Sequence, residues 1–383
     1  RSLNKDDIYI KKNEVIFFVY GKLKNQNKKN KIINISRPLP RSKSSKYLTV
    51  SDGKYSLKIL NKGKNYIKVK SLESFVLKIG KGINIPNSLY SDNYQKKLFI
   101  GFLKKIKKVE YDALGLSFVQ NEKIIKTIKK ITNKKLIVSK IENTQGCKNL
   151  DKIIAESDLI MIDRGDLSAE IGDTNLFGMI ESISKKTKEN GKPLIMATEN
   201  LESMINNSSP SKSEIVSLGF SLKVFSDVIM LSDETATSKK FSKILKWLNT
   251  FLKKNNFSKL KNTNKSFNLW ELIKDINQNK TNLVIFTRKG YAINNIIKSK
   301  PNIRIFVFTD NQLTFNSCEF LSNCTCYLTN KFPTNMDKFI STTIKKNKKQ
   351  IFNGNKDALL IYVAFPRAKS RANTISSITK KDF

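Results

Sequence analysis

Between residues 98 and 254 the chain repeats one pattern, a short apolar run followed by a stretch with helical periodicity. The apolar runs fall at 113–119, 136–141, 159–162, 193–197 and 228–231, and helices are expected at 122–131, 149–156 and 177–190. Short apolar runs separated by helices are what a parallel sheet with both faces covered requires. A spacing of roughly 22 to 35 residues per unit suits successive βα crossovers, in a barrel or an open sheet. Asn190-Gly191-Lys192-Pro193 reads as a helix stop followed by a strand start.

The flanks differ. Residues 1–84 read as a small β-rich unit, with strand-like runs at 15–20, 47–50, 55–60 and 66–69 and a turn at Ser51-Asp52-Gly53. Residues 257–383 read as a second α/β unit. Its strands are expected at 283–287, 303–309, 326–328 and 359–365, and its helices at 269–278, 291–299 and 336–346. The expected division is therefore 1–84, 85–256 and 257–383, with the last boundary in the polar stretch 253–266.

Composition narrows the chemistry. Apolar residues make up 39% of the 383, enough for sizeable cores. There is no His, which excludes Ser-His-Asp triads, Cys-His pairs, HExxH zinc sites and imidazole acid–base catalysis. The four Cys (Cys147, Cys318, Cys324, Cys326) form no CxxC pair, and read as buried or incidental thiols in a reducing compartment. No apolar run approaches the roughly 18 residues of a membrane span, and no signal peptide is visible. The chain starts at Arg1 rather than Met, so a fragment or trimmed product is expected. The net charge is 71 − 32 = +39, which invites a nucleic-acid or anionic-lipid reading. Only eight of the basic residues are Arg, the side chain that grips phosphate bidentately, and the Lys are spread through every region together with Asn and Ile. That distribution describes compositional drift rather than one binding face, and a nucleic-acid partner is not expected.

The chemistry gathers where the middle strands end. One run leaves through Lys140-Ile141-Glu142, the next through Asp163-Arg164-Gly165-Asp166, the next through Ala197-Thr198-Glu199 and the last through Ser232-Asp233-Glu234. In parallel βα folds this edge is where active sites are built. Lys140 and Glu142 are two apart and point to one side of a strand. Glu142 and Asp166, from neighbouring strands, could share one Mg²⁺, which takes one or two protein carboxylates and leaves its other positions to water and substrate. Lys140 adds a point charge for a phosphate or an enolate oxygen. Gly165 permits close backbone approach, and the amides that follow suit an anion. Taken singly, each member is also what a surface ion pair or a helix cap looks like; Asp233 and Glu234 are expected to cap or brace.

These residues resemble the strand-end motifs of the pyruvate kinase family. The resemblance is carried by Ser139-Lys140-Ile141-Glu142-Asn143 with Gly146, by Met161-Ile162-Asp163-Arg164-Gly165-Asp166-Leu167 with Glu170-Ile171, by Ala197 through Met204, and by Met230 through Ala236. Ser51-Asp52-Gly53 and Lys81 through Pro86 resemble the family's lid, and the last stretch, with Thr287-Arg288-Lys289-Gly290-Tyr291-Ala292, its C-terminal domain. The resemblance implies a TIM-type (β/α)8 barrel, of which only about five βα units are found here, with an inserted β-rich lid domain and a C-terminal α/β open-sheet domain. It implies transfer of the phosphoryl group of phosphoenolpyruvate to ADP. By that likeness Lys140 and Thr198 are catalytic; the backbone of Arg164, Gly165 and Asp166 receives the substrate carboxylate; Glu142 and Asp166 hold Mg²⁺ or Mn²⁺; Lys81 and Arg1 face the nucleotide; and Thr287, Arg288 and Lys289 form an effector loop. The family's K⁺ ligands are expected outside this chain. A cytoplasmic homo-oligomer, a tetramer when complete, is implied, with no membrane association. Three acidic residues depart from the family pattern: Asp163 stands for the usual Ala, Glu199 for Gln and Asp233 for Gly. Extra negative charge beside an anionic substrate weakens binding unless Lys compensates. The alternative reading is a catalytically impaired relative with a binding or regulatory role.

Overall fold

A computed structural model of the chain describes residues 2–21, 31–39, 45–51, 53–86, 88–132, 135–255, 282–290, 292–294, 296, 304–333, 336–353, 357–362 and 374–383. The first eight strands are β1 (Ile8–Ile10), β2 (Val15–Val19), β3 (Lys31–Asn34), β4 (Tyr47–Val50), β5 (Tyr55–Lys62), β6 (Tyr66–Ser71), β7 (Phe75–Leu77) and β8 (Ile83–Asn84). β1 and β7 pair as a two-stranded ribbon; the other six form one sheet in the order β3-β2-β6-β5-β4-β8, antiparallel apart from the β2–β3 pair. Its one-sided core follows from strict alternation. In β6 the side chains of Ile67 and Val69 are buried while Tyr66, Lys68 and Lys70 lie on the wetter face. Phe18, Leu48 and Leu57 complete that core.

Five parallel strands follow in simple order: β9 (Ala113–Leu116), β10 (Leu136–Ile141), β11 (Leu159–Asp163), β12 (Leu194–Ala197) and β13 (Val228–Met230). Each pairs with the strand before it through a helical crossover, so the sheet grows one neighbour at a time. Helices α1 (Asp92–Lys105), α2 (Glu122–Ile131), α3 (Thr144–Lys148), α4 (Leu150–Glu156), α5 (Arg164–Ile171), α6 (Asp173–Glu189), α7 (Lys212–Phe220), α8 (Asp233–Ala236) and α9 (Phe241–Lys254) accompany the sheet. One sheet face is sealed by the helices, with Ile137, Ile141, Ile160, Ile162 and Met196 packed against Ile125, Ile128, Ile153 and Ile183. The opposite face, carrying Leu136, Val138, Leu159, Met161 and Ile195, meets Leu313 and Phe320 from the third sheet's surroundings.

The crossover after β10 is tight. Asn143 caps α3 by accepting from the Gly146 amide at 2.7 Å, and its own amide donates to the Val119 carbonyl at 3.2 Å. A Cβ on Gly146 would stand 2.6 Å from that carbonyl oxygen. Gly146→Ala is therefore expected to lower stability by about 1 to 3 kcal/mol, the usual range for overpacking against an unyielding neighbour. Thermal unfolding measures it; an unchanged midpoint contradicts this packing.

The third sheet has the order β16-β15-β14-β17-β18, from β14 (Asn282–Phe286), β15 (Ile305–Thr309), β16 (Cys324–Leu328), β17 (Asp357–Tyr362) and β18 (Thr374–Thr379). β18 is an antiparallel edge on an otherwise parallel sheet. β14 and β15 are buried along their whole length, as central strands covered on both faces should be. The helix expected at 336–346 is present; the one at 269–278 and most of the one at 291–299 lie outside the described residues. Asn316 donates to Asp112 at 3.0 Å, tying this unit to the βα sheet. All four cysteines are free thiols. Among the described residues no helix is long and apolar enough to cross a membrane.

Candidate active site

Register sets the site. Lys140 lies opposite Met161, and Asp163 opposite Ala197, so the carboxyl ends of β10, β11 and β12 finish level. Alternation sends Ile141 and Ile162 into the helix-covered core and Lys140 and Asp163 to the other face. There the Lys140 ammonium lies 2.5 Å from Glu142 Oε1 and 3.1 Å from Asp163 Oδ2. The second oxygen of Glu142 accepts from the Phe118 amide at 2.5 Å. One oxygen each from Glu142, Asp163 and Asp166 lies within 4.8 Å of the others.

Burial alone would weaken the Lys140 ammonium's hold on its proton, but Glu142 and Asp163 outweigh it and raise the pKa above the usual lysine range. Burial pushes the Glu142 carboxyl up; Lys140 opposes this, while Asp166 and Asp163 add to the rise. The two directions describe one cluster. A single ammonium stays charged among three carboxylates, and the surplus negative charge raises the cluster's affinity for one more cation, a proton or a metal.

The neighbouring ends are braced by Arg164, which is 6% exposed. Its guanidinium donates to the Thr198 carbonyl from Nε (3.1 Å) and from Nη2, to Ser217 Oγ at 3.1 Å and to Asn200 Oδ1 at 2.9 Å. Thr198 and Glu199 both adopt left-handed backbone, with φ of 63° and 50°. Non-glycine residues hold that conformation only where the surroundings over-determine it. Thr198 Oγ1 accepts from the Gly165 amide at 3.2 Å; its proton has the Ala197 carbonyl at 2.7 Å, with Asp163 Oδ1 at 3.3 Å as the longer alternative. The Asp166 amide donates to the same Asp163 oxygen at 3.5 Å. Lys140, Glu142, Arg164, Gly165, Asp166 and Thr198 thus converge on one strand-end cluster.

The first sheet reaches this cluster through β8. Asn84 donates to Asp166 Oδ1 at 3.3 Å, and the Gly53 turn packs against Ala169 of α5 closely enough that a Cβ there would lie 3.1 Å from the Ala169 Cα. Lys81, half-buried two residues before β8, offers its carbonyl to the Ser2 amide at 3.0 Å. Arg1 and Asp52 lie outside the described residues. Glu234 is buried and accepts from the Ser232 amide at 2.9 Å, while Asp233 is exposed, so neither joins the carboxylate cluster. The candidate effector loop is engaged internally. Arg288 pairs with Asp310 at 3.0 Å, donates to the Phe332 carbonyl at 2.9 Å and stacks over the Phe332 ring; Thr287 Oγ1 accepts from Gly290. Lys289 is exposed and lines a cleft of about 470 Å³ between the second and third units.

Asn84, Asn200 and Ser217 are participants that the sequence reading did not assign. Asn84 lies inside the Lys81–Pro86 segment and Asn200 directly after Thr198-Glu199, so their position, though not their role, was in view. Ser217 lies 53 residues from Arg164 on a helix of its own, and nothing local marks it.

The donor set fits a hard divalent cation: three carboxylate oxygens, with no nitrogen or sulfur donor among the clustered groups, around a buried Glu142 oxygen whose ion partner is the Lys140 ammonium. Parallel strand ends carrying such a set, beneath a β-rich unit joined to it by Asn84, define a βα-barrel-type enzyme built for anionic substrates. The family description "Pyruvate kinase, barrel domain" matches residues 2–242, and "Pyruvate kinase, alpha/beta domain" matches residues 272–376. The chain belongs to the pyruvate kinase family, a family of phosphotransferases. It is 28% identical to the pyruvate kinase of Methanocaldococcus jannaschii, over 86% of this chain and 76% of that protein. It is 34% identical to that of Buchnera aphidicola subsp. Baizongia pistaciae, over 50% of this chain and 42% of that one. The crystal structure of pyruvate kinase from Pyrobaculum aerophilum superposes with a TM-score of 0.76 at 19% identity, covering 99% of this chain and 83% of the other.

Proposed function

We propose that the protein transfers the phosphoryl group of phosphoenolpyruvate to ADP, giving pyruvate and ATP. The observation that carries this reading is the Lys140 ammonium, fixed at 2.5 Å and 3.1 Å from two carboxylates beside a third on the lip of a parallel sheet. Phosphoryl transfer depends on positioning and charge neutralisation, so a chain without His is equipped for it. Glu142 and Asp166 would hold Mg²⁺ or Mn²⁺, which when bound supplies the positive charge that polarises the phosphoryl oxygens. Lys140 neutralises charge on the transferring phosphoryl group and on the enolate oxygen it leaves behind. The Gly165 and Asp166 amides, at the start of α5, orient the substrate carboxylate. The Thr198 hydroxyl, beside the Gly165 amide, helps relay a proton from solvent to the enolate carbon, giving up its own proton as it takes one from water. Lys81, at the entrance to β8, faces the nucleotide phosphates. A cytoplasmic, oligomeric enzyme is the accompanying proposal.

A coupled assay for ADP-dependent pyruvate formation, with Mg²⁺ and K⁺ present, tests the reading. EDTA is expected to reduce the rate to background and Mg²⁺ or Mn²⁺ to restore it, while Glu142→Gln should lose at least about a hundredfold in kcat. Absence of pyruvate formation, or a rate indifferent to EDTA, overturns it. One observation favours the alternative of an impaired relative: the Lys140 ammonium and the Asp166 amide, both assigned to the substrate, already engage Asp163.

A further inference from the structure

We propose that Asp163 occupies the substrate's anion seat and sets how tightly the site binds its substrate. This rests on the functional reading above. Three groups assigned to an anionic substrate are the Lys140 ammonium, the Thr198 hydroxyl and the Asp166 amide at the N-terminus of α5. All three meet the Asp163 carboxylate: Lys140 Nζ, which also pairs with Glu142, at 3.1 Å from Oδ2; the Asp166 amide at 3.5 Å from Oδ1; and Thr198 Oγ1, whose shorter bond is to the Ala197 carbonyl at 2.7 Å, at 3.3 Å from Oδ1. A further group, the Gly165 amide, donates to the Thr198 hydroxyl that stands beside Asp163. A cation, a hydroxyl and a helix-terminal amide converging on one carboxylate make the environment that a carboxylate or phosphate ligand would need.

The placement follows from the fold. Asp163 ends β11, and alternation after the buried Ile162 turns its side chain away from the helix-covered core, beside Lys140 of the adjacent strand. It also caps α5, so the carboxylate is held from the helix side as well. Its side chain is 9% exposed. Phosphoenolpyruvate arriving at the same groups has to displace that carboxylate or sit beside it, and like charges at contact distance weaken binding steeply. Asp163 is thus a built-in competitor for Lys140, and removing its charge leaves the ammonium with Glu142 as its one carboxylate partner and opens its Asp163 side to the ligand.

The test uses the full chain and two variants. Asp163→Asn removes the charge and keeps a side-chain cap on α5; Asp163→Ala removes both. Circular dichroism and thermal unfolding establish that each is folded. Calorimetry with Mg²⁺ measures binding of phosphoenolpyruvate and, separately, of oxalate, a plain dianion that needs no chemistry. Both variants are expected to bind both anions at least about tenfold more tightly than the parent, since one facing carboxylate is removed. Where turnover is measurable, KM for phosphoenolpyruvate should fall by the same factor while KM for ADP stays put. Unchanged or weaker anion binding in both variants overturns the proposal; weakening is what a role as a cation ligand would give. Tighter oxalate binding without turnover in any form supports the anion-seat assignment and rejects the catalytic reading. Turnover with anion affinities unmoved does the reverse.

Discussion

Replacing Lys140 by Met is expected to lower kcat for pyruvate formation by at least about a thousandfold, at the upper end of what removal of one preorganised charge costs. The reason lies in what the ammonium faces. Negative charge builds on the transferring phosphoryl group and on the enolate oxygen during the reaction, and a fixed cation in a partly desolvated site interacts more strongly with that state than with bound substrate. Lys140 is held ready by its two carboxylate neighbours, so little rearrangement is needed when charge develops. The loss should therefore fall on kcat more than on KM. The fold should survive, because Glu142, 1% exposed, can take up a proton once its ammonium is gone rather than remain a buried charge. Steady-state kinetics on folded protein decide it, and activity within about tenfold of the parent contradicts the assignment of Lys140 as the catalytic cation.

The central sheet was legible in the sequence because its signals are local and redundant. α2 runs from Glu122 to Ile131 as the pattern predicts, and β10 and β12 fall within one residue of their apolar runs. The misses have physical causes. The run at 113–119 ends as a strand at Leu116, because Phe118 turns to φ 54° and hands its amide to Glu142. Periodicity cannot register a backbone reversal made for a buried carboxylate distant in sequence. β1, β3, β7, β8 and β18 were not expected: the first four are only two to four residues long, and in β18 the run Thr-Ile-Ser-Ser-Ile-Thr carries too few apolar groups to stand out without its partner β17. The site behaved similarly. Lys140, Glu142 and Asp166 were named from spacing along strand ends, which is a one-dimensional signal. That Asp163 would pair with Lys140 rather than merely repel a substrate required knowing that β10 and β11 are adjacent and in register. Nor did the net charge of +39 point to the strand-end cluster, where Lys140 and Arg164 are the cations in contact with its polar groups.

That arginine supplies the other large expected effect. Arg164→Met keeps the length of the side chain and removes all its donors. The Thr198 carbonyl, Asn200 Oδ1 and Ser217 Oγ lose a partner together, in a setting where Arg164 is 6% exposed. Burial tends to weaken the guanidinium's hold on its proton, and Glu199, Asp163 and Glu234 oppose that, so the cation balances acidic neighbours that stay behind when it goes. Breaking a buried charge network from one side typically costs about 3 to 5 kcal/mol, more than the hydrogen bonds are worth as a net sum, because the orphaned partners are not rehydrated. A urea midpoint lowered at unchanged slope is the expected signature. Arg164→Lys should recover little of it, since one ammonium cannot reach three acceptors set around a planar fork. A second consequence separates this network from simple packing. The left-handed backbone at Thr198 and Glu199 is held by the two guanidinium bonds to the Thr198 carbonyl and by Asn200, which donates to the Met230 carbonyl at 2.8 Å. Without Arg164 that segment is free to relax toward an unstrained conformation, carrying the Thr198 hydroxyl away from Gly165 and Asp163. Protein assayed well below its unfolding midpoint should then still be deficient in kcat, and a variant destabilised by less than about 1 kcal/mol with full turnover would show that Arg164 neither holds the strand ends nor positions Thr198.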